Sequence, residues 1–145
     1  MKLKRIDHVG INVEDFQAAK AFFFDIGFKE TGKAELEGKW LDKIVDLKGV
    51  KSEFIFLKPT EGETTIELIK YHSPSDAKGI QKSQANTLGI RHICLAVENI
   101  DGIVAKLKKK GIHTFSEIYN YQGVYKLVYI RGPEGIIVEL AEQIN

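Results

Sequence analysis

The fold is decided by a nine-residue stretch that occurs twice, once near the amino terminus and again 84 positions later. The two copies are Ile6-Asp7-His8-Val9-Gly10-Ile11-Asn12-Val13-Glu14 and Ile90-Arg91-His92-Ile93-Cys94-Leu95-Ala96-Val97-Glu98. Each copy predicts a β-strand, because branched apolar residues alternate with other residues along it. Each also has a histidine at its third position. A match of this kind at a constant offset indicates an internal repeat.

A helix is predicted directly after each copy. Asp15 is the expected amino-terminal cap of the first helix and Asn99 that of the second. Apolar residues then recur at helical spacing on one face of each segment, at Phe16, Ala19 and Phe23 and at Ile100, Ile103 and Leu107. Gly27 and Gly111 suit the left-handed conformation that ends a helix. The offset of 84 therefore holds across the whole strand–helix unit.

Each half continues with a predicted set of three strands. We place them at residues 39–46, 53–58 and 64–70 in the first half, and at 113–118, 126–131 and 136–141 in the second. A turn at Pro133-Glu134-Gly135 joins the last two. The expected fold class is α+β, with two tandem βαβββ modules forming an open, incomplete barrel. The modules span about residues 1–71 and 89–145, joined by a linker at 72–88, within a single domain of residues 1–145, since domains commonly run ~100–200 residues.

Composition and charge disfavour several classes of protein. The chain has 145 residues and a formal charge of +1, from 21 lysines and arginines against 20 acidic residues. Such a balance disfavours a nucleic-acid-binding protein. No apolar run approaches the ~20 residues of a membrane span, and the amino terminus does not resemble a secretory signal. With Cys94 as the single cysteine, a reducing cytoplasmic location is expected.

Four ionisable residues are predicted to share the sheet face that points away from the helices. Side chains alternate along a strand, so His8 and His92 oppose their apolar neighbours. The same alternation separates Glu67 and Glu139 from the apolar residues that flank them. Two imidazoles and two carboxylates on one concave face would be costly if they had no partners. A divalent metal would remove that cost.

The donor set indicates which metals fit. Imidazole nitrogen and carboxylate oxygen together suit Ni, Zn, Co, Mn or Fe. Four protein ligands on a six-coordinate ion leave two open positions, which is typical of a catalytic site. The alternative is that each histidine is an ordinary hydrogen-bonded strand residue and each glutamate lies on a solvated face. Because the same residue types occur at matching positions in both halves, we favour a metal site over this alternative.

Further pocket candidates each have a plainer alternative. Cys94 would contact the substrate or pack as a small buried residue. Trp40 would line the pocket or belong to the core. Tyr121 lies in a tyrosine cluster that would form a lid, a dimer contact or an edge strand. Arg131 would bind a substrate anion or pair with a neighbouring glutamate.

The chain resembles the vicinal oxygen chelate superfamily, also called the glyoxalase/bleomycin resistance/dioxygenase family, over nearly its whole length. The resemblance rests on both histidine strands, on the glutamate strand at residues 66–68, and on the closing hairpin at 129–140 with its Pro-acid-Gly turn. It implies that His8, Glu67, His92 and Glu139 are the four metal ligands. It also implies a small-molecule substrate and a homodimer, in which the ligands of one site come from one chain or from two.

The family branch that the ligand set resembles most is glyoxalase I, a lactoylglutathione lyase. That likeness implies proton transfer next to a metal-chelated carbonyl, with Glu139 or Glu67 as the base and glutathione as a possible thiol cosubstrate. We favour Glu139 as the base. Methylmalonyl-CoA epimerase and a binding or antibiotic resistance protein without turnover are the alternatives.

Two positions depart from the patterns of these branches. Asn12, a further pocket candidate, stands where bacterial glyoxalase I usually has an arginine that binds a glutathione carboxylate. The closing hairpin has Arg131-Gly132-Pro133 where the epimerase usually has a His-Pro-Lys segment. The substrate therefore stays open at this point.

Overall fold

The computed structural model describes residues 1–145 as two compact units, Met1–Gly79 and Ile80–Asn145. Unit 1 contains, in chain order, β1 (His8–Asn12), α1 (Phe16–Ile26), β2 (Lys29–Glu37), α2 (Lys39–Val45), β3 (Lys51–Lys58) and β4 (Thr65–Ser73). Unit 2 contains β5 (His92–Ala96), α3 (Ile100–Lys109), β6 (His113–Thr114), β7 (Tyr119–Tyr121), β8 (Tyr125–Arg131) and β9 (Ile137–Gln143). The predicted α+β class and module repeat are confirmed.

Each unit has its own sheet, and the two sheets share one topology. In unit 1 the strand order is β1-β4-β3-β2, with β1 parallel to β4 and the other neighbours antiparallel. In unit 2 the order is β5-β9-β8-β6, and β7 also pairs with β8. The first strand of each module therefore lies at a sheet edge and pairs in parallel with the last strand. Neither sheet closes into a barrel.

The helices form where the sequence predicted them. The Asp15 side chain accepts a hydrogen bond from the Ala18 amide, and the Asn99 side chain accepts one from the Gly102 amide. Gly27 ends α1 at a φ of 127°, a conformation that costs a residue with a Cβ far more than glycine. None of the three helices is long and apolar enough to cross a membrane.

One face of each sheet packs against its helix. Leu68 in unit 1 and Leu140 in unit 2 are fully buried on that face. On α1, Phe23 is also fully buried and contacts Phe28 edge-on, with ring centroids 5.5 Å apart. Because side chains alternate, the residues between the buried positions must point to the other face of the sheet.

The prediction of a strand at residues 39–46 is wrong. Lys39–Val45 forms α2, and the second strand is instead Lys29–Glu37. That strand lies at the sheet edge, and most of its side chains are exposed. An edge strand with little to bury lacks the apolar alternation by which a strand is recognised.

The second half departs from prediction in a smaller way. The segment at 113–118 is not one strand: β6 covers two residues, and β7 begins at Tyr119. Both pair with β8, so two short pieces occupy the place that β2 fills in unit 1. The Pro133–Gly135 turn is a single 3-10 turn. The region between Ser73 and His92 contains turns but neither helix nor strand.

The buried face of α1 generates a stability prediction. Phe23→Ala should lower the free energy of unfolding by ~3–5 kcal/mol, the usual cost of deleting a buried aromatic ring. The adjacent Phe24 is 41% exposed, so Phe24→Ala should change the free energy of unfolding by only about 0.5 kcal/mol. Urea unfolding of both variants measures the difference. Equal losses would contradict the assigned helix face.

Candidate metal centre

In unit 1 the parallel pairing of β1 with β4 brings one histidine and one glutamate together. His8 is in register with Thr65, and Gly10 with Glu67. The imidazole Nε2 of His8 lies 3.0 Å from the Glu67 carboxylate oxygen Oε2. The Glu67 side chain is 18% exposed and that of His8 is 40% exposed. The pair is thus held on the face of the sheet opposite α1 and remains open to a ligand.

Unit 2 repeats the arrangement. Cys94 on β5 is in register with Glu139 on β9. The Nε2 atom of His92 lies 3.2 Å from the Glu139 Oε2 atom, with side-chain exposures of 38% and 18%. The two halves of the repeat therefore produce the same histidine–glutamate pair, at nearly the same separation and exposure.

The donor atoms of each pair fit a divalent metal. Ligand atoms bound at ~2.1 Å and about 90° apart are separated by ~3 Å, close to the distance in each pair. Each pair provides one nitrogen and one oxygen donor, the mixed set that transition metals accept. In this structure no group of three or more His, Cys, Asp or Glu side chains is arranged to hold a metal ion. The structure therefore brings the candidate ligands together two at a time, one histidine with one glutamate.

Asp7 contacts the ring nitrogen of His8 that does not face Glu67. Its Oδ2 atom lies 2.9 Å from Nδ1 of His8, and Arg5 donates to the same carboxylate at 3.3 Å. The hydrogen bonds with His8 and then with Arg5 hold the pKa of Asp7 below its usual value. A carboxylate on Nδ1 favours the tautomer that leaves the Nε2 lone pair free for a metal. At the matching place in unit 2 stands Arg91.

Glu139 has two further polar neighbours. Cys94 on β5 and Tyr129 on β8 are its register partners on the two neighbouring strands. Partial burial of each side chain, followed by the negative charge of Glu139, raises the pKa of both groups. Cys94 is exposed, so the alternative of a small buried residue is wrong. The Tyr129 ring also packs edge-on against His92, with ring centroids 5.0 Å apart.

The other pocket candidates lie in different surroundings. Asn12 is exposed at the end of β1, on the same strand face as His8. Trp40 is 54% exposed on α2, which contacts β2 at the sheet edge opposite β1, so the alternative of a core residue is wrong. Tyr121 is exposed in the hairpin with Tyr125, which makes it an edge-strand residue.

Arg131 has contacts within unit 2. Its guanidinium lies over the Phe115 ring at 4.8 Å and donates to the Ser83 carbonyl at 2.7 Å. Arg91 donates to the hydroxyl of the same serine at 2.6 Å. In this structure Arg131 therefore anchors the segment that precedes β5.

Sequence reasoning missed Asp7 and Tyr129 as site residues. Asp7 directly precedes the first histidine, so its position alone could have marked it as an orienting carboxylate. Tyr129 could be found only from the register of the closing hairpin, which pairs it with Glu139. That register depends on the conformation of the turn at Pro133–Gly135.

Comparison with known proteins places the chain in a family. A model described as "Glyoxalase/Bleomycin resistance protein/Dioxygenase superfamily" matches residues 7–129. The mouse protein named methylmalonyl-CoA epimerase, mitochondrial, is 32% identical, with 97% of this chain and 74% of that protein covered. Uncharacterized protein YwbC of Bacillus subtilis is also 32% identical, with 97% and 98% covered.

A solved structure agrees with this assignment. The crystal structure of a glyoxalase family protein from Bacillus cereus superposes with a TM-score of 0.95 at 34% identity, and 100% of this chain and 97% of that chain are covered. The repeated module, the paired histidines and glutamates and these matches lead to one conclusion: the chain belongs to the glyoxalase/bleomycin resistance protein/dioxygenase superfamily.

Proposed function

We propose that the protein is a metal-dependent isomerase that transfers a proton next to a metal-chelated carbonyl. The observation that carries the proposal is the duplicated histidine–glutamate pair, with separations of 3.0 Å and 3.2 Å. His8, Glu67, His92 and Glu139 together would bind one divalent ion, Ni, Zn, Co, Mn or Fe. Divalent metals are general in the superfamily to which the chain belongs.

The chain's own residues have separate tasks in this reaction. When bound, the metal polarises the substrate carbonyl and makes the neighbouring carbon–hydrogen bond more acidic. One glutamate carboxylate, at an Oε atom, takes that proton while the bonding electron pair stays on the substrate. The same carboxylate returns the proton to the adjacent carbon, whereas an epimerisation needs a second proton donor on the opposite face of the same carbon. His8 and His92 would hold the ion, and Asp7 fixes the orientation of His8.

Two substrate classes follow from the proposal. The full His-Glu-His-Glu set favours a lactoylglutathione lyase-type substrate, the hemithioacetal of glutathione. The name of the mouse relative supports a 2-methyl-branched acyl-CoA as the second candidate. Binding without turnover, as in a resistance protein, is the competing function.

We further propose that the protein is a homodimer. Sedimentation velocity measures the mass of the protein in solution, which should be twice the 16.3 kDa of one chain.

Metal content tests the ligand set. Protein purified without chelator, or reconstituted with Co²⁺, should contain one equivalent of transition metal. His8→Ala and Glu139→Ala should each lose it, because each removes one donor. His72→Ala is the matched control, since His72 pairs with Glu53 rather than with a proposed ligand. Metal-free wild-type protein after reconstitution with Ni²⁺, Zn²⁺, Co²⁺ and Mn²⁺ would contradict the proposal.

Removing the hydrogen-bond partner of His8 should weaken metal binding without removing a ligand. Asp7→Asn is expected to lower metal affinity ~10–100-fold, as loss of an orienting carboxylate commonly does. Glu63→Gln is the control, because Glu63 is the other carboxylate on Arg5 and does not contact His8. Calorimetric titration with Zn²⁺ measures both. Equal affinity in Asp7→Asn and wild type would show that Asp7 does not orient a ligand.

Turnover separates an isomerase from a binding protein. The metal-loaded protein should convert either the methylglyoxal–glutathione hemithioacetal or one epimer of methylmalonyl-CoA to its isomer, which proton NMR follows directly. A chelator should abolish the activity, and added metal should restore it. Undiminished activity after complete metal removal would refute the mechanism. Tight capture of a ligand with no product formed would instead establish the binding function.

A further inference from the structure

A groove opens in unit 1 between α1 and the edge strand β2. Its volume is about 400 Å³, within the ~300–1,000 Å³ range of small-molecule sites. Phe16 and Ile55, which are 8% and 6% exposed, are the buried apolar residues that line it. Ile55 is in register with Leu68, which is buried on the face that packs against α1. The groove therefore lies on the face of the sheet opposite Glu67 and is separate from the candidate metal centre.

The register of β2 determines which of its side chains face the groove. It shifts relative to β3 at Thr31, as in a β-bulge. After the shift, Lys33 is in register with Ile55 and points to the face that packs against α1. Glu35 is in register with Glu53 and points the same way. This face of a strand is usually apolar, but in β2 it is charged, and its edge position leaves both side chains exposed.

The charged residues that line the groove have both signs. They are Lys20, Glu30, Lys33, Glu35 and Glu53. Of these five, only Glu53 has an ion-pair partner, because its Oε2 atom lies 2.9 Å from Nε2 of His72. Glu35 and Glu53 stand directly opposite each other, and like charges in that position destabilise a sheet. A cationic group bound beside them would offset this repulsion.

We propose that the groove binds a free α-amino acid with an apolar side chain. The ammonium group of this ligand would contact Glu35 and Glu53, and its carboxylate would contact Lys33. Its side chain would cover Phe16 and Ile55. Lys33 and Glu35 lie two residues apart on one strand face, with about 7 Å between their Cα atoms, so both can reach the charged groups of one small zwitterion.

Protection of the sheet edge is the competing explanation for these charges. Charged side chains on an edge strand discourage pairing with other chains. That role requires neither a groove nor the lysine that α1 contributes to it, Lys20. An amino acid, in contrast, complements charges of both signs and the apolar residues between α1 and the sheet.

An NMR titration of the ¹⁵N-labelled full chain tests the proposal. L-leucine, L-methionine and L-phenylalanine are the probes, and at least one should produce saturable shifts in the backbone amide signals of residues 33–35 and 53–55. The amide of that probe lacks the carboxylate, and the corresponding deaminated acid lacks the amine. Each should bind ~10–100-fold more weakly, the usual effect of losing a hydrogen bond to a charged group.

Two variants and one control locate the binding. Glu35→Gln and Lys33→Gln each remove one charge from the groove, so each should weaken the probe ~10–100-fold. Glu37→Gln is the matched control and should bind as the wild type does, because Glu37 lies on the same strand face but does not line the groove.

Three outcomes would overturn the proposal. They are wild-type affinity in Glu35→Gln, equal binding of the probe and its amide or deaminated acid, and no saturable shift with any of the three amino acids. In the last case the charges of β2 would serve only to protect the sheet edge. None of these outcomes affects the proposed metal site, which lies on the other face of the sheet.

Discussion

The structure depends on the parallel pairing of the first and last strands in each module. This pairing places the strand with the histidine directly beside the strand with the glutamate, and its register sets the distance between the two side chains. A shift of one residue would turn Glu67 toward the helix and Leu68 away from it. Burial of Leu68 and Leu140 therefore does more than stabilise the sheets. It fixes which face presents the carboxylates.

Much of the module structure, and the placement of the candidate ligands, could be predicted from the sequence. The repeat, the alternation of side chains and the helix caps are local signals, and they locate the four proposed ligands on the correct strands and faces. The elements that were missed have weak local signals. The strand at Lys29–Glu37 is polar because it lies at an edge, and α2 is short and largely exposed. The contact of Tyr129 with Glu139 depends on hairpin register, which a single sequence does not specify.

Comparison of the two modules adds what neither module shows alone. Gly10 and Phe56 are the register partners of Glu67, whereas Cys94 and Tyr129 are those of Glu139. The two pairs therefore share one backbone arrangement but differ in the side chains around the carboxylate.

The central proposal is that His8, Glu67, His92 and Glu139 bind one metal ion. X-ray absorption of the Zn²⁺-loaded protein tests it most directly, because imidazole ligands give a multiple-scattering signal that carboxylates do not. The account predicts an ion bound only by nitrogen and oxygen, with two imidazoles per metal, falling to one in His92→Ala protein that is loaded with excess Zn²⁺. A single imidazole per metal in the wild type, or two metals per chain, would contradict it.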